Sequence, residues 1–330
     1  MSYLDNRFPT LLDVTKRLDP DGSIAAVAEI LSQENPIVGD MVMVEGNLPT
    51  GHRTTQRTGI PEPTWRKLYG GVKPTKSKTA QVTDSCGMLE AYAEVDKALA
   101  DLNGNTAAFR LSEDRAHIEG IAQELASTAI YGSVGENSAA FEGLAPRYND
   151  LSAENAENIV NAGGTGAGNT SIWLVVWGPE TIHGIYPKGS KAGLIMEDKG
   201  QVTVENIDGD GGRMEAYRTH YRHDVGLVVR DWRYAVRIAN IDVANLSDDA
   251  NAKALIRLMI MASERIPKLG AGRATWYVNR TIREKLRLGI LEKIANNLSW
   301  ETVAGQRIMT FDDIPVKRLD ALVNTEEAVA

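Results

Sequence analysis

The eight residues 163–170, Gly-Gly-Thr-Gly-Ala-Gly-Asn-Thr, have the composition of a loop that could cradle phosphate. Four glycines would let backbone N–H groups converge on an anion, but a P-loop also needs Gly-Lys-Ser/Thr, because the lysine reaches the terminal phosphates and the hydroxyl holds the metal ion. Asn169 stands where that lysine would be. The dinucleotide pattern fails at the same residue: counted from Gly164 and Gly166, its third glycine falls on Asn169, and no strong strand precedes the run. A flexible surface loop is the expectation.

Other candidates for chemistry fail on named residues. Asp208, Gly209, Asp210, Gly211 and Gly212 offer two oxygen ligands at calcium-loop spacing, but Gly212 occupies the position of the third, so a hairpin turn is expected. His220 and His223, with Asp224 beside them, would need a third ligand such as His183 to hold a metal. Their region reads as strand, where odd spacing sends the two rings to opposite faces. Cys86 is the single cysteine, which excludes an intramolecular disulfide and a multi-thiolate zinc site. Ser85, before Cys86 and Gly87, lacks the leading glycine of Gly-x-Ser-x-Gly. No catalytic, cofactor-binding or metal-binding residue is assigned, no cofactor is expected, and the chain is read as a non-enzyme.

Charge is more informative. The 330 residues carry 36 basic and 44 acidic side chains, a net −8 that would repel nucleic acid or an anionic membrane. Between His52 and Lys78 the balance reverses: Arg53, Arg57, Arg66, Lys67, Lys73, Lys76 and Lys78 face the single acid Glu62. That segment holds +6, which leaves −14 on the rest. Threonines at 50, 54, 55, 58, 64, 75, 79 and 83, with interspersed glycines and prolines, favour extended ribbon over helix across 37–85. A long basic arm poor in apolar residues suits docking on an acidic neighbour. A solvated flexible loop and a nucleic-acid grip remain the alternatives.

The elements around this arm read as α+β. A helix is expected after the cap Asp19–Pro20, with Ile24, Val27, Ala28 and Leu31 on one face, ending at Asn35 and Pro36. A short strand over 87–95 should lead through the turn Asn103–Gly104 to a strut helix over 113–131, capped by Ser112 and closed by Gly132. Strands are predicted at 172–177, at 231–238 with one wet face, and at 275–278, and a terminal edge strand at 308–319 around Pro315. Helices are predicted at 250–265 and at 281–288, the latter capped by Asn279. The N-terminus shows no secretory signal, so synthesis in a cytoplasm is expected, and no run reaches the ~20 apolar residues of a membrane span.

Six segments, in this order, carry a resemblance: MLEAYAEVDKALADLNG (88–104), RLSEDRAHIEGIAQELASTAIYG (110–132), FEGLAPRYNDL (141–151), HGIYPKGSKAGL (183–194), VVRDWRYAVRIANID (228–242) and FDDIPVKRLD (311–320). Together they resemble the tailed-phage major capsid proteins of the Hong Kong 97 fold, and most closely the epsilon fifteen group of short-tailed phages. The resemblance implies an N-terminal arm (1–36), an extended loop over a neighbouring subunit (37–85), and a peripheral domain with the spine helix (86–136). An axial domain (137–305), with strands returning to the peripheral domain, and a closing peripheral strand with a tail (306–330) would follow. It implies self-assembly into hexamers and pentamers of an icosahedral virion shell around double-stranded DNA held by weak, nonspecific contact. A separate scaffolding protein, a portal and a decoration protein are the partners it brings, with no membrane. An encapsulin-like compartment shares this fold, and a soluble enzyme using the loop at 163–170 is the reading from another class.

Overall fold

The computed structural model describes residues 33–102, 106–205, 211–247, 249–291, 298–303 and 306–330. The helix expected at 19–35 and the turn at 103–104 fall largely or wholly outside them. In chain order come α1 (Ile37–Asp40), β1 (Met43–Glu45), β2 (Gly51–Gly59), β3 (Lys78–Asp96), α2 (Lys97–Ala100) and α3 (Thr106–Tyr131). Then follow β4 (Ile159–Asn161), β5 (Asn169–Trp177), β6 (Ile182–Tyr186), β7 (Ile195–Glu205), β8 (Arg213–Val229), β9 (Ala235–Asp242) and α4 (Asp249–Ser263). The chain closes with β10 (Arg273–Val278), α5 (Arg280–Leu291), β11 (Leu298–Val303), β12 (Gln306–Phe311) and β13 (Ile314–Arg318). The strands form one branched sheet whose longest path runs β11-β12-β13-β10-β5-β6-β8-β3-β2.

β5 is the spine of that sheet, buried at every position. Its pleat sends alternate side chains to opposite faces. Trp173, Val175 and Trp177 pack with Leu125, Ala129 and Ile130 of α3, while Ile172, Leu174 and Val176 pack with Leu255 and Met259 of α4 and Ile282 and Leu286 of α5. A continuous apolar run is what a strand covered on both faces requires.

Asn279 caps α5 as expected, accepting from the Ile282 N–H at 2.8 Å. Its amide also donates to Thr170 Oγ1 at 2.8 Å and to Asn324. Asn279→Ala should therefore cost about 1–2 kcal/mol, at the upper end for a cap, read as a lower urea midpoint at unchanged slope.

Four expectations need correction. The strut helix begins at Thr106, not after Ser112, because Phe109 is buried against Val95 and Ala100 and holds an extra N-terminal turn in place. The strand expected at 231–238 begins at Ala235, after a 3-10 turn at Trp232–Tyr234, and has no wet face: Arg237 is buried with its apolar neighbours. The terminal strand is a hairpin, β12 and β13, turned at Asp312 and Asp313, which both take positive φ. β13 lies between β12 and β10 and so is not an edge. The strand expected at 87–95 is the second half of the 19-residue β3.

The segment 37–85 is also not one extended loop. Ile37 and Met41 sit in the main core, and β1 pairs in parallel with β6. Asp40 is buried, takes both Lys317 Nζ contacts at 2.6 and 2.8 Å, and accepts from the Tyr277 hydroxyl at 2.8 Å. The projecting part starts at Gly51.

Candidate intersubunit surface

From Gly51 the chain leaves the body as a two-stranded antiparallel ribbon, β2 against the first half of β3, in the register His52↔Asp84 through Arg57↔Thr79. Eight steps of about 3.4 Å carry it roughly 27 Å. Threonine and other β-formers on both strands suit such a ribbon, which has almost no core beneath it. Residues 60–77 at its end have no regular secondary structure apart from a turn at Tyr69–Gly70.

The root of the ribbon is tightly fixed. Gln56 Nε2 donates to the carbonyls of Val229 at 3.2 Å and Arg230 at 3.0 Å. Arg147 pairs with the buried Asp84 at 2.8 Å, and Asn47 makes two bonds of 2.7 and 2.8 Å with the Arg53 backbone. Gly226 lets β8 pass the ribbon, since a Cβ there would lie 2.6 Å from the Ser85 carbonyl. His52 and His183 meet edge to face at 5.9 Å in the same place. Burial, with the like-charged His52 and Arg230, lowers His183 to about 4.

All seven predicted basic residues are exposed along this ribbon: Arg53 and Arg57 on β2, Lys78 at the start of β3, and Arg66, Lys67, Lys73 and Lys76 beyond the paired strands. None of them forms an ion pair with a described residue. The apolar-poor description fails at the tip. Trp65 and Tyr69 are 100% and 98% exposed, and Ile60 and Leu68 stand out beside them. The sequence showed these side chains, but their exposure follows from the ribbon's projection beyond any core.

The loop at 163–168 lies at the surface, while Asn169 and Thr170 belong to β5 and are buried. It is tied to the C-terminal tail: Ala328 N–H donates to the Gly166 carbonyl at 2.9 Å, and Glu326 and Asn169 exchange backbone bonds. The pocket beside it is lined by Asp242 and Asn245 and by no lysine or arginine, the reverse of what a phosphate needs. The turn at 208–210 lies outside the described residues, though β7 and β8 flank it as an antiparallel pair. His220 sits beside Glu90 at 3.1 Å and stacks on Tyr92, and His223 is buried. Burial and the nearby Asp224 and Asp84 push the Cys86 thiol up to about 11, which keeps it protonated and unreactive.

This geometry, a folded body with a projecting ribbon, is matched from end to end by known proteins. The family model of major capsid protein GP7 matches residues 19–330. The chain belongs to that family. Its fold is similar to a structure of Bacteriophage Epsilon15 at 37% identity and a TM-score of 0.79, covering 100% of this chain and 99% of that one. The Bacteriophage JBD30 capsid matches at 9% identity and TM-score 0.49 over 90% of this chain and 95% of that one. An encapsulin from Synechococcus elongatus matches at 13% identity and 0.43, covering 71% and 97%. No curated protein matches. This member of the GP7 family is thus a structural capsid shell protein of a phage virion, with the Hong Kong 97 fold, and it assembles with copies of itself.

Proposed function

We propose that the ribbon of residues 51–85 is the clasp of the shell, with Arg53, Arg57, Arg66, Lys67, Lys73, Lys76 and Lys78 docking on the acidic body of a neighbouring subunit within hexamers and pentamers. The observation that carries this is the segregation of charge: seven exposed cations project from a chain whose remainder holds −14. Complementary fields speed encounter and fix register even when each pair contributes little. The acidic body also suits a container whose double-stranded DNA must enter and leave, since phosphate contacts by Lys and Arg would otherwise hold it. A separate scaffolding protein, a portal and a decoration protein complete the assembly in this reading, which takes place in the host cytoplasm.

Reversing charge at Arg53, Arg57 and Arg66 tests it. All three are exposed, so the triple glutamate variant should keep the far-UV spectrum and melting temperature of the parent subunit. Electron microscopy and sedimentation should find subunits or small oligomers in place of closed shells. Shells of normal yield from that variant would remove the clasp.

A further inference from the structure

Strand β3 is shared by two features. Its first half, from Lys78, builds the ribbon, and its second half forms one wall of a groove whose other wall is α3. The groove holds two adjoining pockets, of about 110 and 340 Å³, which share Leu89 and Glu124. The smaller is mostly apolar, with Met88, Leu125, Phe141 and Val225 in its lining and Asn137 at its rim. Glu124 and Glu90 are exposed along the groove, and no lysine or arginine lines either pocket.

The tip of the ribbon is the complement of this groove. Trp65 is wholly exposed, and Arg66 and Lys67 follow it directly. The tip does not fill its own chain's groove. Nine residues of extended strand separate Lys78 from Gly87, roughly 30 Å, and the tip lies beyond Lys78. One strand thus holds the plug and the socket of a chain apart, pointing to opposite ends.

We propose that the β3–α3 groove receives the ribbon tip of a second copy of this chain, with the Trp65 indole in the smaller pocket and Arg66 and Lys67 against Glu124 and Glu90. This rests on the clasp reading and names the socket. A large aromatic side chain in a desolvated pocket with charged residues at its rim is the usual anatomy of a strong contact. Because plug and socket are different surfaces, the contact is head to tail, and repetition about an axis closes a ring.

Two measurements test the socket. In particles of a Cys86→Ser chain carrying Thr64→Cys and Asn137→Cys, which retains Trp65, mild oxidation should give covalent multimers beyond the dimer. Each single-cysteine chain should give dimers at most. Separately, Glu124→Lys should cut shell yield about tenfold or more, as should Trp65→Ala, and adding Arg66→Glu and Lys67→Glu to Glu124→Lys should restore much of it. Particles that do not cross-link beyond the dimer, or a Glu124→Lys chain that assembles at full yield, would overturn the socket. The clasp reading would then still stand if charge reversal at Arg53, Arg57 and Arg66 blocks shells. If that triple variant assembles normally, the clasp itself falls.

Discussion

Arg237→Ala should lower the unfolding free energy of the isolated subunit by about 3–5 kcal/mol, because it strands a carboxylate in the core. Arg237 and Glu326 are 4% and 5% exposed and lie 2.9 Å apart. Arg237 also donates to Ser171 Oγ at 3.0 Å and to the Tyr148 carbonyl at 2.9 Å, and its guanidinium lies 5.4 Å over the Trp173 ring. Glu326 accepts from the Tyr131 hydroxyl at 2.5 Å and from Ser171. Burial and the Glu326 charge raise the Tyr131 phenol, which therefore stays a donor. With both members of the pair satisfied this way, deletion of either leaves the other without its partner. Arg237→Leu with Glu326→Leu should cost less than Arg237→Ala alone, since no buried charge is then left over. Denaturant unfolding measures all three chains, and a loss below about 1 kcal/mol for Arg237→Ala would contradict this account. The consequence reaches the surface, because Glu326 pins the tail that holds the loop at 163–168.

Acidification should weaken the subunit at the root of its ribbon. His183 is 1% exposed, and its folded value of about 4 lies below the ordinary 6.5. A depressed histidine binds its proton in the unfolded chain first. Its contribution is therefore intact above about pH 6.5 and is lost as pH falls from there toward 4. Each unit in that window costs about 1.4 kcal/mol, or roughly 3 kcal/mol across it. His223, also lowered by burial, acts in the same direction. Between pH 7 and pH 5 the parent should lose about 2 kcal/mol more than a His183→Leu chain, measured by urea unfolding at each pH. Equal slopes for the two chains would show that His183 does not carry the effect. Because His52 on β2 faces His183 on β6, the first segment to loosen should be the ribbon root, visible as faster amide exchange at 51–56.

Some elements were legible because their causes are local. The run at 172–177 has no polar interruption, so only a strand covered on both faces could use it, and Asn279 precedes a helical pattern with a side chain able to cap it. The start of α3 was not legible: Ser112 has the type of a cap, but burial of Phe109 against Val95 and Ala100 outweighs that preference. Alternation through Trp232, Arg233, Tyr234, Val236 and Arg237 looked like a strand with one wet face. No pattern within eight residues could show that a carboxylate 89 positions downstream would meet Arg237 in the core. The hairpin at Asp312 and Asp313 was missed for a related reason. Aspartate tolerates positive φ, yet only the pairing of β12 with β13 makes both residues adopt it.

The sequence by itself determined the class of the protein, since six phrases in fixed order carried the family, and it determined where opposite charge lies along the chain. Charge and residue order are properties of the chain, present before any fold forms. Only the tertiary structure decided that residues 37–50 belong to the body, that the ribbon ends in exposed Trp65 and Tyr69, and that β3 carries ribbon and groove at opposite ends. Burial, reach and shape depend on what lies across the fold, and no local pattern records that.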